Sequence, residues 1–124
     1  MDHPKHTEVT EATAAAEATM APQRVPVNVY ETGDALVIVA PIPAVMPGDV
    51  SIRVAPGLVT ISTQLRSAAP KDYLVQEWEY GGYERSVELP PGFGSAAEAS
   101  LANGQLAVRV LRGEPTEEFE IAPT

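Results

Sequence analysis

The sequence predicts an all-β fold, a sandwich or barrel of short strands in a single domain. The chain has 124 residues, a length that supports one hydrophobic core. From Val25 onward, short apolar runs are separated by Pro and Gly residues, which is typical of such folds. The pair Asn103-Gly104 lies between two apolar runs and indicates a hairpin, because both residues tolerate the positive φ of a type I′ turn.

Three strands are predicted in the first half of this region. Residues 27–31 alternate between apolar and polar, which predicts an edge or half-buried strand. Residues 35–40 are apolar at both parities and predict a central strand that is covered on both faces. Val50, Ile52 and Val54 alternate with polar residues, which predicts a strand with one buried face.

The second half continues the same pattern. A Pro-Gly turn precedes residues 58–62, which predict a further strand. Residues 83–89 predict the next strand, which ends at a Pro-Pro-Gly sequence, and the Asn-Gly hairpin follows. Between these two strands lies a further extended segment with large apolar side chains at one parity: Leu74, Trp78 and Tyr80.

Composition divides the chain into a sandwich with a flexible arm at each end. Residues 1–24 are rich in Ala, Thr and Glu, and an isolated helix with so thin an apolar face is marginal in water, so we expect a flexible N-terminal arm. Residues 25–112 form the predicted sandwich. Residues 113–124 form an acidic C-terminal tail, whose two large apolar residues are Phe119 and Ile121.

Charge and composition argue against several classes of partner and location. The formal net charge is -9 and the basic residues are scattered, which argues against binding to nucleic acid or to an anionic membrane surface. No apolar run approaches the roughly 20 residues that span a bilayer. Cysteine is absent, and the N-terminal residues lack the apolar stretch of a secretory signal. We therefore expect a cytoplasmic protein.

The sequence offers little equipment for catalysis. Both histidines, His3 and His6, lie in the N-terminal arm, so the predicted sandwich has no imidazole to act as a general base. Glu77 and Glu79 share one face of an extended segment, where a solvated face is the simpler interpretation. No glycine-rich phosphate loop is present, and two histidines make a poor metal site. We therefore expect no enzyme activity, no cofactor and no metal.

Arg85 is a charged residue at an apolar parity. It shares that parity with Tyr83, Val87 and Leu89, so a regular strand directs it toward the apolar side. A guanidinium there is costly unless a carboxylate pairs with it. Two interpretations stay open: an edge or bulge position from which the side chain reaches water, or an ion pair between subunits.

Phe119 and Ile121 are two residues apart in the acidic tail. On an extended peptide both side chains point the same way, as strand addition into a groove requires. The alternatives are a last strand that packs on its own domain, or a disordered tail.

Three motifs together resemble the small heat-shock proteins over most of residues 27–111. YGGYERSVELP, which starts at Tyr80, resembles the family pattern aromatic-Gly-x-aromatic-x-Arg-x-apolar-x-Leu-Pro, and LVTI, which starts at Leu58, matches the strand before it. The closing signature Ala-x-x-x-Asn-Gly-x-Leu is matched by Ala99, Asn103, Gly104 and Leu106. The resemblance implies an immunoglobulin-like antiparallel β-sandwich, the alpha-crystallin domain, and ATP-independent chaperones that hold unfolding client proteins.

The resemblance also implies a homodimer. In the bacterial and archaeal type, the strand carried here by about residues 74–80 reaches across to the partner's strand near residues 27–30, and Arg85 is the interface arginine. The implied dimer-interface residues are Leu74, Trp78, Tyr80, Arg85, Val27 and Val29.

A second implied contact builds a higher homo-oligomer from these dimers. Phe119 and Ile121 resemble the family's Ile-x-Ile tail motif, with Phe in place of the first Ile, and this motif docks in a groove of a neighbouring dimer. The implied groove residues are Val50, Ile52, Val54, Ala99 and Leu101. The predicted function is thus an oligomeric holdase, and the alternative is an adaptor module that resembles the CS-domain co-chaperones.

Overall fold

A computed structural model of the chain describes residues 23–64, 71–77 and 82–124. These residues form strands and a single 3₁₀ turn, Pro47–Asp49. The strands are β1 Gln23–Arg24, β2 Asn28–Glu31, β3 Ala35–Pro41, β4 Val50–Ala55, β5 Leu58–Thr63, β6 Tyr83–Glu88, β7 Phe93–Ala102, β8 Gln105–Arg112 and β9 Phe119–Ile121.

The strands form two sheets that pack as a sandwich. One sheet has the order β2-β3-β8-β7, and the other has the order β1-β6-β5-β4-β9. Neighbouring strands are antiparallel except β1 and β6, which are parallel. The predicted all-β sandwich is confirmed.

The core lies between the sheets and follows the predicted alternation. Ile52 and Val54 of β4 are buried, whereas Arg53 between them is exposed. β3, between β2 and β8, is buried at both parities: Leu36, Ile38 and Ala40 belong to the core, and side chains of the neighbouring strands shield the other face. Its Val37, on the other face from Ile38, has the large residues Tyr30 and Arg109 as cross-strand neighbours. The fully buried large side chains are Val25, Ile38, Ile42, Ile52, Val54, Val59, Ile61, Leu106, Val108 and Val110.

The predicted hairpin joins β7 to β8. Asn103 has φ 53° and Gly104 has φ 76°, which are the positive values of a type I′ turn. The Ile42 amide donates a hydrogen bond of 2.8 Å to the Gly104 carbonyl, so the turn is also tied to the loop after β3.

Two segments differ from the sequence-based expectation. Gln23 and Arg24, which composition places in the N-terminal arm, pair with β6, and the Gln23 amide donates to the Gly82 carbonyl at 2.9 Å. Residues 71–77, part of the predicted extended segment, form no strand in the described part of the chain. The remaining residues of the predicted arm, 1–22, lie outside the described residues.

Gly113 generates the first prediction, because its backbone and its surroundings both disfavour a side chain. Its φ is 137°, and an added Cβ would lie 2.7 Å from Ser95 Oγ. Gly113→Ala should therefore lower the free energy of unfolding by roughly 1–3 kcal/mol, measured by urea denaturation at a fixed chain concentration. Gly33→Ala is the control, since no atom lies within 4 Å of its added Cβ. Equal stability of the two variants would show that the backbone at Gly113 accommodates a side chain without strain.

Candidate functional site

The tail segment forms the last strand of its own five-stranded sheet. β9 pairs antiparallel with β4, so that Phe119 lies opposite Val54 and Ile121 lies opposite Ile52. In the single chain the tail therefore takes one of the alternatives that the sequence left open, a last strand that packs on its own domain.

Every second residue of the tail points into the sandwich, and these residues anchor the tail. Phe119 and Ile121 are half-buried and pack against the core. Pro123 continues the same parity and is buried. The tail thus has a third anchor beyond the two that the sequence predicts. The spacing of two residues after Ile121 is the signal for it.

The tail contacts the second sheet through its backbone. The Thr124 amide donates to the Ala99 carbonyl at 3.0 Å, and the Leu101 amide donates to the Thr124 carbonyl at 3.1 Å. These two bonds lie on β7, while β9 lies on β4. The tail therefore bridges the edges of both sheets on this side of the sandwich.

The predicted groove residues are brought together along this side. Val50, Ile52 and Val54 of β4 are buried in the core, and Ala99 and Leu101 of β7 pack against it. The chain's own tail covers the groove that these strands form. Docking of the tail into a neighbouring dimer stays a prediction. An open cleft of about 490 Å³ remains beside the tail, lined by Ala97, Glu98, Ala99, Ser100, Ala107, Arg109, Ile121, Ala122 and Thr124.

Polar contacts add to the attachment of the tail on its exposed face. Arg53 Nε lies 3.1 Å from Glu118 Oε1, with both side chains more than half exposed. The Ser51 hydroxyl donates to a carboxylate oxygen of Glu120. Exposed ion pairs of this kind contribute about 0–1 kcal/mol. Most of the free energy that attaches the tail therefore comes from its apolar side chains and its backbone hydrogen bonds.

The opposite side of the sandwich carries an open strand edge. Among residues 23–64, 71–77 and 82–124, β2 lies at the end of its sheet and pairs with β3 alone, and all four of its residues are exposed. Val29 is 43% exposed and Tyr30 is 53% exposed, whereas Val27 just before β2 packs against the core. An exposed edge with apolar side chains is a template for pairing with another strand.

Residues 71–77 present further apolar side chains to solvent. Leu74 is fully exposed, Val75 is 71% exposed and Tyr73 is 43% exposed. Such neighbouring apolar side chains mark an interaction surface more than a folded core. The other predicted residues of this segment, Trp78 and Tyr80, lie outside the described residues.

Arg85 is half-buried on the inner parity of β6, as its position in the sequence predicts. Its Nη1 donates a hydrogen bond of 2.9 Å to the carbonyl of Val25, a residue that is 1% exposed. This contact joins β6 to the chain just after β1. Nearby, the Tyr83 amide donates to Thr63 Oγ1 at 2.7 Å, and burial raises the pKa of the Tyr83 phenol.

One cluster of charged side chains lies on the outer face of the four-stranded sheet. Arg109 pairs with Asp34 at 2.8 Å and with Glu98. A hydrogen bond from the Thr32 hydroxyl and the nearby Arg109 guanidinium lower the pKa of Asp34. The cluster is exposed and its charges are paired, so it has the character of a surface network and not of an acid–base site.

Among residues 23–64, 71–77 and 82–124, no group of three or more His, Cys, Asp or Glu side chains is placed to hold a metal ion. Within those same ranges, no helix is long and apolar enough to cross a membrane.

Comparison with family models gives one match. The model of the Hsp20/alpha crystallin family matches residues 28–122, which include every strand from β2 to β9. The comparison with curated proteins finds no match.

Solved structures of small heat-shock proteins share the fold. A small heat-shock protein from Xylella fastidiosa, which has a distinct high order structure, matches with a TM-score of 0.66 and 21% identity, over 77% of this chain and 92% of that one. The hspA protein from Xanthomonas axonopodis matches with a TM-score of 0.67 and 22% identity, over 74% and 96% of the two chains. Heat shock protein 16.0 from Schizosaccharomyces pombe matches with a TM-score of 0.63 and 22% identity, over 76% and 91%.

The contact between Arg85 and Val25 generates the second prediction. Arg85→Ala leaves a buried backbone carbonyl without its guanidinium partner, so the free energy of unfolding should fall by about 1–3 kcal/mol. Arg24→Ala, which removes an exposed arginine from the adjacent strand, should change it by less than about 0.5 kcal/mol. Urea denaturation of both variants at the same chain concentration makes the measurement. An unchanged midpoint for Arg85→Ala would mean that the side chain is merely solvated.

Proposed function

The chain belongs to the Hsp20/alpha-crystallin family of small heat-shock proteins, and we propose that it is an ATP-independent holdase that binds unfolding proteins and limits their aggregation. Family and fold support a role of the chaperone type. Two exposed features of the described residues carry the holdase proposal: the edge strand β2 and the apolar side chains of residues 71–77.

The open strand edge and the exposed apolar side chains match the groups that an unfolding protein exposes. An unfolding protein exposes apolar side chains and unpaired backbone groups, and an open edge with apolar neighbours offers partners for both. The net charge of -9 keeps such complexes apart by repulsion, which opposes further association. Holding a client in this way requires no bond to be made or broken.

The same two features support a homodimer, so a client and the partner subunit compete for them and a client binds when the subunits separate. In this proposal, residues 74–80 of one subunit pair with β2 of the other, and the reciprocal pairing follows from two-fold symmetry. The full exposure of Leu74 in the single chain and the open edge of β2 support this arrangement. Arg85 then lies near the interface, with one guanidinium nitrogen already bound to its own chain.

Larger assemblies form in this proposal when tails dock between dimers. Phe119 and Ile121 of one dimer would occupy the groove of another in the place that the chain's own tail takes in the single subunit. Each tail contact is weak alone, because ordering the tail offsets most of the roughly 1.5–3 kcal/mol gained for each buried side chain. Several contacts in one assembly act together through effective concentration.

The third prediction tests the holdase activity directly. An unrelated unstable protein is heated with and without this chain, and its aggregation is followed by light scattering. Scattering should fall strongly at a stoichiometric ratio, while an acidic protein of similar size and charge should leave it unchanged. No suppression would contradict the holdase. A monomer that binds one defined partner would instead favour the adaptor alternative.

The fourth prediction tests the dimer. Leu74→Ser removes a side chain that makes no packing contribution to the single chain, so folding should be unaffected. At a two-fold interface the substitution occurs twice, and the dissociation constant should rise at least about tenfold. Lys71→Ser, an exposed residue of the same segment, is the matched control. Equal dissociation constants for the two variants in sedimentation equilibrium would place Leu74 outside the interface.

A further inference from the structure

The tail is held on its own subunit at several points, beginning in the linker, residues 113–118, that joins β8 to β9. The Gly113 amide donates to the Gly92 carbonyl at 2.7 Å, which fixes the chain where it leaves β8. Pro115 then packs over Gly94 of β7, where an added Cβ would lie 3.1 Å from the proline Cβ. The linker is therefore laid against the start of β7 and directs the tail toward β4 of the same chain.

Beyond the linker, the tail closes two sheet edges at once. β9 pairs with β4 in one sheet, and Thr124 exchanges two backbone hydrogen bonds with β7 of the other. Pro123 is buried between these two contacts. The groove that would link two dimers is thus already occupied by the tail of its own subunit.

A tail from another subunit has to compete with this internal contact. For a segment joined by a short linker, the effective local concentration is on the order of millimolar. The tail of a separate dimer is present only at the bulk concentration of the chain. The internal contact therefore wins when the chain is dilute, and links between dimers gain as the concentration rises.

We propose that the tail is an intramolecular latch that holds the protein at the dimer, and that larger assemblies form only when the tail leaves its own groove. This inference rests on the proposed assembly from dimers. Opening the latch exposes the edges of β4 and β7 together, so one event frees both a tail and a groove. The switch is set by chain concentration, because the latch and the link between dimers use the same contact and differ only in whether the tail and the groove belong to one chain.

A disulfide across the latch tests this proposal. Because the chain has no cysteine of its own, the two introduced cysteines can pair only with each other or with those of another copy. Arg53 and Glu120 are opposite each other in the β4–β9 register, and both side chains are exposed. Directly opposite residues of antiparallel strands have Cα atoms about 4.5–5.5 Å apart, within the range of a disulfide. The variant is Arg53→Cys/Glu120→Cys, and its reduced form is the matched control because the polypeptide is the same.

The expected result has three parts. Oxidation of the dilute protein gives a disulfide within one chain, seen on a denaturing gel without reductant. The oxidised protein keeps the mass of a dimer over about a hundredfold range of concentration, whereas the mass of the reduced protein at least doubles. Phe119→Ala/Ile121→Ala, which weakens the latch and the link together, stays a folded dimer throughout.

Three results would overturn the latch. They are disulfides that join separate chains in the dilute protein, growth of the oxidised protein to the same mass as the reduced one, and growth of the Phe119→Ala/Ile121→Ala variant. The holdase activity is measured separately, as the light scattering of a heated client protein in the presence of the oxidised dimer. Unreduced scattering would contradict the holdase and leave the latch untouched. The latch can thus be overturned while the holdase stands, and the reverse also holds.

Discussion

The pairing of sheet edges is the constraint on which the rest of this structure depends. Two open sheets expose rows of backbone donors and acceptors at their ends, and these groups bind any strand that reaches them. Here the edges of β4 and β7 are closed by the chain's own tail. On the other side, no described strand covers the edge of β2. The two sides of the sandwich therefore differ in whether the chain itself covers their edges.

The strength of the tail contact suits a reversible role. Burial of Phe119 and Ile121 yields about 1.5–3 kcal/mol for each fully buried side chain, and both are only half-buried. Ordering each tail residue costs about 1–2 kcal/mol in backbone entropy. The gain from burial and the cost in entropy are similar in size. The backbone hydrogen bonds of β9 and Thr124 therefore decide whether the tail is attached or released. The closed tail is then favoured by a modest free energy, so that it covers its groove most of the time and still opens reversibly.

The sequence predicts the sandwich well and the partners of its exposed segments poorly. The alternation at Val50, Ile52 and Val54, the apolar run of β3 and the Asn103-Gly104 turn are local patterns, and each is confirmed. The parity of Arg85 is likewise confirmed, but its partner is the Val25 carbonyl, and a backbone acceptor leaves no mark in the sequence. The parity of the tail predicts which side chains dock. It does not predict which copy supplies the groove, because that depends on how the linker packs in three dimensions.

Hydrogen exchange of backbone amides, measured over a range of chain concentrations, tests most directly whether the two sides of the sandwich serve different partners. We predict that the outward amides of β2 exchange fast in the dilute protein and become protected as subunits associate. The Leu101 amide, which the tail covers, should already be protected in the dilute protein. Fast exchange of β2 at every concentration, or fast exchange of Leu101 in the dilute protein, would contradict this division between the two sides.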